Sequence, residues 1–449
     1  MTIIETQQEY TSFMQKYSST DWIVVPVYCN GDYPVYVDSI SLIYVYAINY
    51  DKDCVLVLNH TEGLNLQIDL ADSLPKDNVC YIHNKKRFSQ FVQQDNLIDM
   101  DLIEYFYRNR PMPDEFDTTA HEFFERKYHR FKNLNAIIPI TKHVERCRNI
   151  RDTFFDVYNL LKIDQSFTFY NTVILNSLQA IEKNGMYVNA SKFANVFPDY
   201  PIHDNFVYTE YNIYTTTGRP SNRFNGVNFG ALNKETGIRD AFCSRFAQDG
   251  FMISFDYDAY HLRLLAVLVD YKFPDNVSVH EHLGEYYFQK SKLSEEEYQE
   301  SKSISFRQLY GGIATEYLVI PFFEKVHEYT KLLWEQFRET GFIETPLFSR
   351  KLFLNFFKDL NPAKLLNYFL QAFETERNMA VIHNVLQRTT AYESKLILYT
   401  YDSFLFDFHV KDGAEFIQIV KAELEQQGKF PTKLEIGPTY QNMVERNVN

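Results

Sequence analysis

Apolar residues along this chain fall into short runs before residue 85 and into longer, helix-spaced stripes after residue 143. "WIVVPVY", "YPVYVDSISLIYVYAINY", "DCVLVLN" and "VCYIHN", all between residues 21 and 85, are rich in β-branched and aromatic residues, which predicts strands. "RFSQFVQQ" and "MDLIEYFY" predict short helices after them. The whole reads as a mixed α/β domain ending near residue 135, with the polar seam "RNRPMPDEFDTTAHE" (108 to 122) as a loop. Residues 143 to 195 are expected to be helical. "TTTGRPSNRFNGVNFGALNK" (215 to 234) is a long Asn-, Gly- and Thr-rich loop, of a length that usually marks function or disorder. "MISFDYDAYHLRLLAVLVDY" (252 to 271) passes from an apolar strand into an amphipathic helix, with Asp256 and Asp258 at the joint. "SEEEYQESKSISFRQLYGG" (294 to 312) opens on a capping-box pattern, Ser294 with Glu297, and closes at Gly311-Gly312. Helical patterns continue to about 390. "KLILYTYDSFLFDFHV" (395 to 410) then reads as two apolar strands joined in a tight hairpin at Asp402-Ser403.

Length and charge narrow the classes. A chain of 449 residues is too long for one core, so several subdomains are expected, and 45% apolar residues suffice to fill them. No apolar run has the length of a membrane span, and "MTIIETQQEY" lacks the basic-then-apolar order of a signal peptide. The five cysteines are scattered without a C-x-x-C pair, which argues for a reducing compartment and against a cysteine zinc site. A cytoplasmic location follows, with no membrane partner. The net charge of −14 argues against indiscriminate nucleic-acid binding but leaves room for a local basic groove.

Chemistry concentrates in the second half. Asp256 and Asp402 each stand at the end of an apolar strand; if those strands are neighbours, the two carboxylates can share divalent ions. The bland reading of each is a solvated turn or hairpin residue. Lys302, Phe306 and Tyr310 recur every four residues, so they project from one helix face, where they can grip a phosphate and stack on a base. The bland reading there is two core aromatics beside a snorkelling lysine.

Taken in order, these pieces resemble family A (Pol I-like) DNA polymerases over roughly residues 180 to 410. Lys302, Phe306, Tyr310 and Gly311 match that family's K-x3-F-x3-Y-G fingers helix. "GIRDAFCSRFAQDGFMISFDYDAYHLRLLA" is similar to the segment that carries its first catalytic motif, and "YTYDSFLF" takes the place of the second. "VYTEYNIYTTTGRPS" is similar to its T-G-R loop, "VHEHLGEYYF" to a stretch with a phosphate-contacting histidine, and "GFIETPLFSRK" and "NYFLQ" follow in family order.

The resemblance implies an α/β multidomain fold, with an RNase H-like exonuclease-type domain followed by a right-hand palm and fingers. It divides the chain into an exonuclease-like domain (1–135), a helical linker or thumb remnant (136–206), palm (207–275), fingers and connecting helices (276–384) and palm again (385–449). Two Mg²⁺ ions would be held by Asp256 and Asp402, which serve as catalytic residues. One ion would activate the primer 3′-hydroxyl and the other would hold the triphosphate. Lys302, Phe306, His261, His280 and Tyr310 would contact the deoxynucleoside triphosphate, and Arg219, Asn228, Gln371 and Gly311 the primer-template DNA.

Departures from the family pattern carry information. The second motif usually reads His-Asp-Glu; here it is Tyr401-Asp402-Ser403. Tyr298 stands where the fingers helix carries an arginine, and His261 where a glutamate excludes the ribose 2′-hydroxyl. In "WIVVPVYCNG" no acid takes the place of the exonuclease D-x-E, and in "HNKKRFS" Ser89 stands where the second acid belongs, so the first domain is expected to be an inactive remnant without proofreading. "LQAIEKNGMYVNASKF" resembles the opening of the thumb, yet the T-G-R region follows almost at once. Little thumb implies short synthesis per binding event, a protein processivity factor, and a minimal, bacteriophage-like build. The rival readings are a non-catalytic polymerase-like scaffold that binds nucleic acid and an enzyme for lesion bypass or untemplated addition.

Overall fold

Strands form where the apolar runs predict them. The computed structural model describes residues 1–29, 39–70, 73–109, 138–159, 163–224, 227–274 and 277–446. The start of the "YPVYV" run, the polar seam after Asn109 and the expected boundary near 135 lie outside the described residues. The chain forms two compact units, Met1–Gly185 with Asp199–Tyr214, and Met186–Pro198 with Thr215–Asn449.

The first unit is built on six strands, β1 (Thr2–Ile4), β2 (Trp22–Tyr28), β3 (Ile40–Ala47), β4 (Lys52–Val57), β5 (Cys80–Ile82) and β6 (Leu97–Asp99), in the order β1-β4-β3-β2-β5-β6. β2, β3 and β4 pair antiparallel, whereas β5 runs parallel to β2 and β6 parallel to β5. Every residue of β2 and β3 is buried, which explains why their sequences are continuous rather than alternating in hydrophobicity. Helix α1 (Gln7–Tyr17) starts on a Thr6–Glu9 capping box and buries Tyr10, Phe13 and Tyr17. The helix expected over "RFSQFVQQ" is a single turn, α2 (Lys85–Phe88), after which the chain bends so that Phe88 and Val92 both enter the core. Asp99 then caps α3 (Met100–Arg108), accepting from the Leu102 N–H at 2.6 Å. The helical stretch after residue 138 contains α4 (Ile140–Tyr158) and α5 (Gln165–Phe169), which passes through a π-helical turn (Tyr170–Ile174) into α6 (Leu175–Asn184).

The second unit centres on an antiparallel sheet of β7 (Gly250–Tyr257), β8 (Lys395–Tyr399), β9 (Ser403–His409), β10 (Thr432–Gly437) and β11 (Val444–Glu445), ordered β8-β9-β7-β10-β11. Its helices are α7 (Ala190–Val196), α8 (Tyr260–Leu268), α9 (Val279–Phe288), α10 (Glu295–Gly311), α11 (Pro321–Thr340), α12 (Pro362–Arg388) and α13 (Gly413–Glu425). Among the described residues no helix is long and apolar enough to cross a membrane.

Candidate functional site

The centre of the sheet delivers two carboxylates to one end. Asp256 on β7 lies in register with Ser403 of β9 on one side and Lys433 of β10 on the other. One residue on, the Tyr257 N–H donates to the Asp402 carbonyl at 2.9 Å. Strand pairing therefore brings together two acids that are far apart in sequence. Asp256 is oriented by the Ser254 hydroxyl, which donates to its Oδ2 at 3.1 Å and lies 3.0 Å from the Ser403 hydroxyl. A serine pair thus lies beside Asp256 at the end of the sheet.

The hairpin that carries Asp402 is held against its preference. Tyr401 has φ 72°, a left-handed conformation rare for an aromatic residue. Two contacts hold it there: Asn378 on α12 donates to the Tyr401 carbonyl at 2.7 Å, and the Arg219 guanidinium lies 3.5 Å from the centre of the Tyr401 ring. Burial lifts the Asp402 carboxyl above the usual carboxylate range, and the neighbouring charges of Glu374 and Asp256 add to the rise.

Helix α10 faces this end of the sheet. Ile304 and Leu309 supply its core contacts, while Phe306 and Tyr310 remain 37% and 43% exposed, so the aromatic stripe is not a packing stripe. Their rings are parallel, tilted by 7° with centroids 6.0 Å apart. Lys302, one turn earlier, rests its ammonium 4.7 Å from the centre of the Tyr298 ring. Tyr298 thus supports the lysine without adding charge.

A cavity of about 330 Å³ lies between these parts. It is lined by Arg219, His261, His280, Lys302, Phe306, Tyr310 and Asp402 from the expected set, with Asp258, Glu374 and Lys433 beside them. His280 is buried, with Nδ1 lacking a hydrogen-bond partner, and burial pushes its imidazole down to about 4. The ring is therefore neutral near pH 7 and offers a hydrogen bond rather than a charge. His261 places Nδ1 2.7 Å from the Tyr310 hydroxyl and Nε2 3.2 Å from Glu374.

Asp256 stands at the sheet end but is not among the residues that line this cavity, and three expected residues lie elsewhere. Asn228 pairs with Arg223 in a short antiparallel ladder. Gln371 is half-buried on α12, its carbonyl accepting from Thr375. Gly311 lines a separate cavity of about 410 Å³ with Gly312, Ile313 and Pro362. Gly312 has φ 94°, which only glycine adopts freely, and this ends α10.

Glu374 is the residue that the sequence reading passed over. It sits in an α12 segment buried without a break from Ala372 to Met379, yet is 1% exposed and acidic. A carboxylate on a fully buried helical stretch calls for a cation or a hydrogen-bond donor, but "FLQAFETERNMAVI" also holds Glu376 and Arg377, so the sequence does not single Glu374 out.

The donor set suits Mg²⁺, which takes few protein carboxylates and completes its shell with water or phosphate. Two acids at one sheet end, one already lifted by burial and further by its acidic neighbours, favour a bound cation over a bare pair. Among the described residues no group of three or more His, Cys, Asp or Glu side chains is placed to hold a metal by itself.

No protein-family model and no curated protein sequence matches this chain. Its fold matches a solved structure, the POL domain of Pol1 from M. smegmatis in complex with DNA primer-template and dNTP. The TM-score is 0.75 and the identity 14%, covering 98% of this chain and 99% of that one. The chain has the mixed α/β, multidomain fold of that DNA polymerase domain.

Proposed function

We propose that this chain is a template-directed DNA polymerase that adds deoxynucleotides to a primer 3′-hydroxyl. One observation carries the reading: Asp402 and a Lys302–Phe306–Tyr310 stripe line one cavity, at the sheet end where Asp256 stands in register with Ser403. The likeness of fold to a polymerase domain solved with primer-template and dNTP supports it.

Each residue then has a role. Asp256 and Asp402 would hold two Mg²⁺ ions, which supply Lewis-acid stabilisation of the phosphoryl transfer and a more acidic primer hydroxyl. Lys302 and Lys433 neutralise phosphate charge, and the His280 N–H donates to a phosphate oxygen. Phe306 and Tyr310 offer flat rings to the nascent base pair. Arg219, stacked on Tyr401 next to Asp402, reaches the primer-template minor groove, with Asn228, Gln371 and Gly311 along the DNA path.

The first unit is inferred to be an exonuclease-type domain without its chemistry. Three antiparallel strands continued by two parallel ones support an RNase H-like core. Residues 85–87, beside the second motif's position, are buried bases that cannot replace a metal carboxylate. Mg²⁺-dependent degradation of single strands by the wild type, lost on substitution within residues 1–135, would refute this.

Between Asn184 and Thr215 the only helix is α7, Ala190–Val196, which leaves little to grip duplex. Short synthesis per encounter, a partner that adds processivity, and a viral setting follow from that economy. Extension by thousands of nucleotides per binding event would contradict the first two.

Primer extension on a primed template with Mg²⁺ and four deoxynucleotides tests the central reading. Short products absent in Asp402→Asn establish it. Intact primer-template binding without extension at any enzyme concentration would instead make the chain a scaffold.

A further inference from the structure

A nucleotide's sugar lies between its base and its phosphates. If the base stacks on Tyr310 and the phosphates lie between Lys302 and the strand-end acids, the sugar passes near His261, which lines the same cavity and lies against the Tyr310 hydroxyl. What holds His261 there is Glu374.

Glu374 projects from the buried face of α12, which packs against α8 and α10. Its Oε1 lies 3.2 Å from His261 Nε2, and its Oε2 lies 2.9 Å from Arg219 Nε. On the far side of the imidazole, Nδ1 is 2.7 Å from the Tyr310 hydroxyl. The three groups form a line from the core to the fingers-type helix.

The line has a direction. An ionised carboxylate only accepts, so it favours a proton on His261 Nε2 and leaves Nδ1 to accept from Tyr310. Burial, with the Glu374 charge adding to it, pushes the Tyr310 phenol up to about 12, so it keeps the proton that it donates. A short carboxylate tether removes freedom from both rings, and a pocket wall can exclude a hydroxyl only if it cannot move aside.

We propose that Glu374 is a positioning and selectivity-determining residue: it holds His261 against Tyr310 and so makes the wall that separates deoxyribonucleotides from ribonucleotides. This rests on the polymerase reading above.

The test uses the full chain, with Glu374→Gln as a near-isosteric change and Tyr310→Phe to remove the hydroxyl at the other end. Steady-state single-nucleotide extension gives kcat and KM for a matched deoxynucleotide and ribonucleotide. Glu374→Gln is expected to lower the deoxy/ribo ratio of kcat/KM at least tenfold, within the range of about 10–200-fold set by a small steric difference, mainly through KM. Combined with Tyr310→Phe it should add little, because both changes break one line. In parallel, NMR of ring-labelled histidine, with His261 assigned by its loss in His261→Gln, should show its ring signals displaced by Glu374→Gln.

Wild-type extension with an unchanged ratio in Glu374→Gln overturns the inference and leaves the polymerase reading standing. A wild type that never extends sinks that reading and, with it, the selectivity role. The NMR shift then decides the positioning role alone, and unmoved His261 signals in a folded Glu374→Gln overturn it in either case.

Discussion

Both units gather acids and bases near the end of a buried strand, but they use them differently. In the first unit the charges satisfy one another and the backbone. Lys85 Nζ donates to the Asn171 carbonyl at 2.7 Å, and Lys86 Nζ lies 2.5 Å from Glu182 and 2.6 Å from the Tyr211 carbonyl. Asp99 accepts from the Lys85 and Leu102 backbone N–H groups at 2.7 and 2.6 Å. All of these side chains are buried. In the second unit Lys302, Tyr310 and Phe306 stay half-exposed or exposed around a cavity that Asp402 also lines. A polar group with all its partners inside the fold is architecture. One left facing a cavity has capacity for something that arrives later.

The sharpest way to break this contrast is to remove one acid from each unit. Asp402→Asn should lower the single-turnover extension rate by on the order of 10³, as expected for losing a principal electrostatic element. Asp99→Asn, assayed where both variants are folded, should stay within about twofold of wild type, since the Asp99 carboxylate is engaged by the Lys85 and Leu102 backbone N–H groups. An Asp99 variant as inactive as Asp402→Asn would erase the distinction.

Lysines sharpen it next. Lys86→Met leaves Glu182 buried without its nearest cation and should cost about 3–5 kcal/mol in urea unfolding. Lys302→Met should change stability by less than about 0.5 kcal/mol, yet raise the deoxynucleotide KM about tenfold.

Buried histidines occur in both units, His143 in the first and His280 in the second, each pushed down to about 4 by burial. A depressed histidine pKa means that the unfolded chain takes up the proton first, so stability is lost as pH falls from about 6.5 towards 4. His280→Gln should flatten that loss by on the order of 3 kcal/mol in pH-dependent melts. A curve as steep as wild type would show that His280 does not stay neutral in the fold.

The smallest effect concerns the acid limb of activity. A raised Asp402 pKa keeps its proton to higher pH, and a proton there opposes a cation, so extension should fail at higher pH than an ordinary carboxylate would allow. More Mg²⁺ competes with the proton and should move that limb downward. A limb insensitive to Mg²⁺ would separate Asp402 from metal binding.

Sequence alone determined much of this protein, wherever the determining interactions are local. The strand runs, the Ser294–Glu297 capping box, the Gly311-Gly312 stop and the hairpin around Asp402 depend on neighbours within a few residues, and all are present. Spacing also placed Lys302, Phe306 and Tyr310 on one face, because an α-helix has a known period. Which face that was required the tertiary structure: Ile304 and Leu309 point to the core, so the aromatic stripe is left outside. The same holds for α2, where the pull of Phe88 and Val92 into the core outweighed a short helical propensity. Pairing of β7 with β9, which sets Asp256 beside Ser403, depends on chain segments that cannot recognise each other locally. Glu374 is the extreme case. Its meaning lies in Arg219 and His261, which come from other parts of the sequence, and a buried charge is intelligible only once its partners are in place.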